Sequence, residues 1–274
     1  MSVASTADVK ISCRGVTKSY GSTRAGVRPL VALDEVSFDV AQGEIFSLVG
    51  PTGCGKSSSL NLVAGFETPT VGEVLVNGRI VDGPGSDRAV VFQQAALFPW
   101  MSVFDNVVLG VKSQGMPKAE YTARANELLA AVGLEKFHDH YPYQLSGGMQ
   151  QRTQIARALI SRPQVLLMDE PFGALDYQTR LLMQELLLRL WEQFNPTIFF
   201  ITHDVSEAIF ISDTVAVMSA RPGRLKLRIP VPFPKPRTLE FLTTPEFGEM
   251  EHQVLAAVQE EFASAYASQR ESSR

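Results

Sequence analysis

Between a short apolar run, Glu44–Gly50, and a helically spaced run, SSSLNLVAG, the chain carries Gly50-Pro51-Thr52-Gly53-Cys54-Gly55-Lys56-Ser57. This fits G-x-x-x-x-G-K-[ST] at each fixed position, in the strand–loop–helix context that gives the motif its meaning. Glycines let the backbone curl and aim several N–H groups inward. The helix behind the loop adds unpaired N–H groups and a partial positive charge. Lys56 is the expected contact to β and γ phosphates, and the Ser57 hydroxyl an expected ligand of Mg²⁺, a cation that prefers hard oxygen. Gly50, Pro51, Thr52, Gly53, Cys54, Gly55, Lys56, Ser57 and Ser58 are therefore the predicted nucleotide-binding residues of this segment, which by itself suits kinases, GTPases, helicases and transport ATPases alike.

A strand feeding such a loop needs parallel neighbours, and the chain supplies candidates. VLLMD (Val165–Asp169), TIFFITH (Thr197–His203) and TVAVMS (Thr214–Ser219) are short apolar runs alternating with helical patterns, including VSEAIFI. That order implies a mostly parallel sheet covered on both faces. Earlier, Lys10–Tyr20 suits a strand, GSTRAGVRP (Gly21–Pro29) a loop, and VSFDV (Val36–Val40) a half-buried strand. EVLVNGRIV (Glu73–Val81) places Asn77-Gly78 between strand-like runs, a hairpin signal. These strands predict an antiparallel annex. The middle of the chain is expected to be helical, with KAEYTARANELLAAV framed by Pro117 and Gly133. In Thr179–Phe194 the stripe Leu182, Leu186, Leu190 is expected to be core, and Glu246–Ala265 a surface helix.

Composition narrows the partners. With 274 residues, 45% apolar and 20% charged, the chain can bury a full core. A net charge of −4 argues against nucleic acid as a partner. The sequence has no apolar run long enough to cross a bilayer and no visible secretory signal. Two scattered cysteines, Cys13 and Cys54, suit a reducing compartment. Cys13 is expected to be a small strand residue. Cys54, beside a helix N-terminus, is expected to have a lowered thiol pKa and to block ATP binding when alkylated.

A phosphate loop wants a carboxylate at the end of a nearby strand. Asp169 ends VLLMD and Glu170 follows. Adjacent side chains diverge at a strand end, so Asp169 can serve the metal while Glu170 faces an attacking water. Leu145-Ser146-Gly147-Gly148-Met149 precedes the helical run IARALIS. Ser146 suits an N-cap, and the two glycines expose N–H groups at a helix start, a second phosphate-binding surface. One chain has little use for both surfaces on one nucleotide. Two chains meeting head to tail would use both.

LSGGM resembles the signature of ATP-binding cassette (ABC) ATPases, and the family's other motifs follow in the family's order over roughly residues 10–225. The resemblance implies an α/β P-loop NTPase core with a mostly parallel sheet, an antiparallel β subdomain, and a helical subdomain at about 95–160 that holds the signature. Residues 226–274 form a C-terminal extension. Tyr20 matches the aromatic that stacks on adenine. Gln93 in VVFQQ, rather than its neighbour Gln94, matches the glutamine that touches Mg²⁺ and the catalytic water. Asp169 and Glu170 match the Walker B pair, Asp176 ends the D-loop and is expected among the nucleotide-binding residues, and His203 matches the histidine at the γ-phosphate. Met149 departs from the commonest residue, Gln. Arg152 and Arg157 are expected to be structural charges.

The resemblance also implies partners. Transmembrane subunits are expected as separate polypeptides, with a solute-binding protein acting indirectly, two ATPase subunits pairing as a homodimer, and a location on the cytoplasmic face of the inner membrane. Phe98, Pro99, Trp100 and Met101 form an apolar patch at the family's groove for a permease helix. PGSDRAVVFQ, LFPWMSVFDNV and DEPFGALD are similar to the importer ATPases for nitrate, sulfonates and taurine, which implies uptake of a small anion.

Overall fold

Burial follows the sequence pattern most clearly in β2 (Leu30–Ala41), where Val36, Phe38 and Val40 are buried and Ser37 and Asp39 exposed. The structure is a computed structural model that describes residues 9–21, 29–235 and 237–272. Residues 22–28 of the expected Gly21–Pro29 loop lie outside it. The chain packs as two units, one built from the segments up to Gly85 and from Thr197 onward, the other from Ser86–Pro196.

In the first unit, β1 (Val9–Tyr20), β2, β4 (Val71–Val76) and β5 (Arg79–Ile80) form an antiparallel sheet in the order β2-β1-β4-β5. The β4–β5 turn is Asn77-Gly78, both at positive φ, as a tight hairpin with right-handed strand twist requires. Beside it, β3 (Ile45–Val49) pairs in parallel with β8 (Thr197–Ile201) and β9 (Thr214–Met218). All five residues of each are buried, as in a strand covered on both faces. Phe38 of β2, Phe46 of β3 and Phe199 of β8 stack with ring centroids 5.2–5.9 Å apart and join the two sheets. Each buried ring contributes about 2–3 kcal/mol.

β10 (Leu225–Pro230) pairs antiparallel with β9 at the sheet edge. The sequence reading gave no strand there, because the prolines from Pro230 on read as irregular chain. Pro230 is tolerated at the end of an edge strand. Helices α1 (Lys56–Ala64), α6 (Val205–Ile211) and α7 (Pro245–Ser272) complete this unit. Phe247, Val254 and Val258 line one buried face of α7, which packs on α6 and β9.

The second unit pairs β6 (Arg88–Val91) in parallel with β7 (Val165–Asp169) and adds α2 (Val103–Ser113), α3 (Lys118–Ala131), α4 (Gly147–Leu159) and α5 (Tyr177–Phe194). Along α5, Leu186 and Leu190 are buried as expected, but Leu182 is 51% exposed. It sits in the second turn, on a part of α5 where Gln178, Arg180 and Leu181 are also open to solvent or half-buried.

Candidate nucleotide-binding site

β3 and β8 are parallel neighbours with Leu48 opposite Ile201, and Thr202 N donates to Leu48 O at 3.3 Å. Gly50 and His203, each two residues further on, therefore leave the same carboxyl edge, where ligands bind in sheets of this kind. Gly55 caps α1 at φ 101°, and a Cβ there would stand 2.5 Å from Leu33 Cδ2 and 2.9 Å from Ala32 O. Only glycine fits. No side chain caps α1, and its first turn holds no acid. The loop therefore suits a polyphosphate. Lys56 is buried, with Nζ donating to Gly50 O (2.8 Å) and Pro51 O (3.1 Å), and forms no ion pair among the described residues. Thr52, Gly53 and Ser57 are exposed along the rim.

Tyr20 comes to the front of α1. Its hydroxyl lies 3.1 Å from Ser58 Oγ and donates to Glu67 Oε2 at 2.7 Å, and Lys18 Nζ stands 5.0 Å from its ring centroid. Burial and the bond to Glu67 push the phenol above its ordinary pKa. His203 is exposed. The residues flanking it are fixed: Thr202 Oγ1 donates to the buried Glu207 carboxylate and accepts from Asp204 N at 3.0 Å, and Asp204 caps α6 through Glu207 N, also 3.0 Å. Sequence reasoning missed Thr202 and Glu207, which lack a catalytic motif of their own.

Cys54 corrects an expectation. It is 1% exposed, with a Gly50 Cβ position only 3.1 Å from its sulfur, and burial pushes the thiol up despite Lys56 and Arg221 nearby. Desolvation outweighs the helix N-terminus and the two cations. Cys13 is likewise buried in β1, its thiol raised by burial and by Asp39.

The second unit holds the other predicted residues. β6 and β7 are parallel with Val91 opposite Met168, so Gln93 and Glu170 also leave a common edge. Gln93 is exposed, and Gln151 Nε2 donates to Phe92 O at 3.3 Å. Asp169 and Glu170 are half-buried. Glu170 has φ 45°, a left-handed conformation uncommon for a non-glycine residue, which turns it off the line of the strand after Asp169. Ser146 caps α4 by accepting from Met149 N at 3.3 Å, and Asp176 caps α5 by accepting from Thr179 N at 3.0 Å. Bonds from the Thr179 side chain and backbone hold the Asp176 carboxyl below its ordinary range. A Cβ at Gly148 would stand 2.9 Å from Thr179 Cγ2 and one at Gly147 3.7 Å from Leu175, so Ser146, Gly147, Gly148 and Asp176 gather where α4 and α5 begin.

Trp100 is 70% exposed and Phe98 36%, their rings 5.5 Å apart, with the Arg157 guanidinium 5.8 Å from Phe98. Buried Asn106 pins this turn, accepting from Phe98 N (2.8 Å) and donating to Phe98 O, Met101 O and Ser102 O (3.0–3.1 Å). Asn106 escaped the sequence reading because an asparagine inside a helical run carries no signal of what it grips.

Residues 33–173 match the family model described as ABC transporter. The chain is 47% identical over 236 residues to a taurine import ATP-binding protein of Rhizobium johnstonii, covering 84% of this chain and 89% of that protein. It is 45% identical over 253 residues to an uncharacterized ABC transporter ATP-binding protein of Methanocaldococcus jannaschii, covering 92% of each. Among solved structures it resembles the dimeric, post-hydrolysis state of the ATP-binding cassette MJ0796 bound to ADP and Pi, with TM-score 0.70 and 32% identity over 81% of this chain and 99% of that one. With the expected α/β P-loop fold present and these relatives matched along most of the chain, the protein belongs to the ABC transporter ATPase family and is an ATP-binding subunit.

Proposed function

We propose that this chain powers import of a small anion, with organic sulfonates such as taurine the leading class. The observation that carries this reading is its 47% identity, across most of both chains, to a taurine import ATP-binding protein. The cassette spans residues 10–225, with the helical subdomain at about 95–160 and the extension from 226. Two copies pair so that the Ser146–Gly148 surface of one completes the phosphate loop of the other, a reading supported by the dimeric form of the similar cassette. ATP favours the paired state because only that state uses both phosphate surfaces.

Within each copy Tyr20 carries the adenine, and Gly50–Ser58 hold the phosphates. Ser57, Gln93 and Asp169 would hold Mg²⁺, which supplies neutralising charge on the phosphate oxygens. Glu170 orients or deprotonates the attacking water, His203 and Gln93 sense the γ-phosphate, and Asp176 takes part in nucleotide binding. No helix among the described residues is long and apolar enough to cross a membrane. The membrane-spanning permease is a separate chain docked near Phe98, Trp100 and Met101 at the cytoplasmic face, the solute-binding protein acting through it. The exposed, pinned aromatic turn supports this docking.

The test is to tag the chain in its host, extract membranes in mild detergent, identify what co-purifies, and measure ATP-driven uptake of labelled taurine in proteoliposomes. Co-purification of a polytopic permease with taurine uptake supports the reading. A permease that carries another solute retains the importer and rejects the sulfonate. Export, or recovery with ribosomes or DNA, rejects import.

A further inference from the structure

We propose that Arg221 is a positioning residue for the phosphate loop, and that the C-terminal helix α7 holds it there through Glu261. The inference rests on the reading of residues 50–57 as the nucleotide-phosphate site.

The segment after β9 lies directly behind the loop. Arg221 donates twice to Gly53 O, from Nε at 3.1 Å and from its terminal nitrogen at 3.0 Å. A peptide unit is planar, with its C=O and N–H on opposite sides. The carbonyl that Arg221 draws outward therefore sends Cys54 N–H inward, and that N–H meets Pro51 O at 3.3 Å, inside the ring where the Lys56 ammonium also sits. One guanidinium thus sets the tilt of a peptide plane at the crest of the loop. Two bonds from a planar cation to one oxygen restrict that tilt more than a single donor does.

The segment is close enough to do this only because of its sequence. At Gly223 a Cβ would stand 1.9 Å from Cys54 O, so any side chain would drive the segment off the loop. Gly223 is also stitched to β2, donating to Ala32 O and accepting from Asp34 N, both at 2.9 Å.

The other side of the segment is held by α7. Glu261 Oε2 accepts from Ala220 N at 2.9 Å, the residue before Arg221, and its other oxygen pairs with Lys226 Nζ at 2.7 Å. Burial works against this carboxylate, but Lys226 and the Ala220 N–H outweigh it and hold its pKa below the ordinary value. A path of direct contacts therefore runs from the C-terminal helix through Ala220 and Arg221 to Gly53. Glu261, Ala220 and Arg221 act through Gly53 and lie outside the residues assigned to the chemistry, so the effect falls on nucleotide affinity and not on turnover.

The experiment uses the full chain and ADP as the probe, measured by titration calorimetry, with KM and kcat for ATP and thermal unfolding on the same samples. The variants are Arg221→Ala, Arg221→Lys and Glu261→Gln, with Lys56→Ala as the control. Arg221→Ala should weaken ADP about tenfold, the equivalent of one charge-assisted bond. KM for ATP should rise by the same factor, kcat stay within about twofold, and the midpoint of unfolding stay unchanged. Arg221→Lys should recover part of the loss, and Glu261→Gln should weaken ADP by a smaller factor than Arg221→Ala. If Arg221→Ala binds ADP like the parent while Lys56→Ala does not, Arg221 is no positioning residue. A fall in kcat at unchanged KM overturns it equally. Should Arg221→Ala fail to fold, unchanged affinity in both Arg221→Lys and Glu261→Gln overturns the proposal, and graded loss in the two supports it. If Lys56→Ala binds ADP as tightly as the parent, the reading of the loop itself fails.

Discussion

Replacing Ser146 with alanine separates a structural role from a catalytic one. The hydroxyl accepts from Met149 N at 3.3 Å at an exposed helix start. A cap of that length and exposure is worth about 1 kcal/mol. Its loss should lower the unfolding midpoint by about 2–4 °C for a chain of this size. Against a folding stability of about 10 kcal/mol, the folded fraction barely changes. Capping alone therefore predicts ATPase activity within about twofold of the parent, because a helix still folded still presents its N–H groups. If Ser146 also completes the partner's phosphate site, turnover should drop about 100-fold, the scale for losing a donor to a reacting oxyanion. Ser146→Asn sharpens the contrast, since asparagine caps as well as serine but is bulkier. Stability should return and turnover should not. The assay is ATP hydrolysis by the permease complex alongside thermal unfolding. Normal turnover in Ser146→Ala, or restored turnover in Ser146→Asn, would refute the shared-site reasoning.

Three other outcomes are expected. Glu170→Gln should bind ATP, hydrolyse it at least about 100-fold more slowly and accumulate dimers on size exclusion, whereas near-parental turnover would remove Glu170 from the chemistry. Cys13 and Cys54, both buried with raised thiol pKa values, should react with a maleimide at least about tenfold more slowly than a free thiol until the chain is unfolded; rapid native labelling of Cys54 would contradict its burial. Glu261 has a lowered folded pKa, so it stabilises above its unfolded value of about 4.3, and that contribution is lost as pH falls through the folded value. Glu261→Gln should accordingly be less stable than the parent at pH 7 and approach it in acid, and a gap that stays constant with pH would exclude the carboxylate charge as its source.

Elements with a strong local cause were legible in the sequence. Gly65 ends α1, Asn77-Gly78 turns the β4–β5 hairpin, and Ser146 starts helix α4. Each depends on residues within one turn. β10 was not legible, because a strand that ends in Pro230 is stabilised by its pairing with β9 and not by its own composition. Leu182 was misjudged for a similar reason: leucines at helical spacing mark a face, but what covers each turn of that face is decided elsewhere in the chain. The candidate site divides along the same line. Loops with a motif stood out at once. Arg221, which reaches Gly53 from 168 positions away, and Asn106, which grips an aromatic turn, act through contacts with no short pattern.

The three stacked phenylalanines between the two sheets of the first unit have a practical use. Because Phe38, Phe46 and Phe199 bind the antiparallel sheet to the strand that ends in the phosphate loop, a displacement of that loop's strand should carry the hairpin with it. Ile80, near the hairpin tip, is 64% exposed. A fluorophore on a cysteine placed there would act as a pointer on a rigid lever. It could follow the nucleotide cycle in a working transporter from a point outside the chemistry.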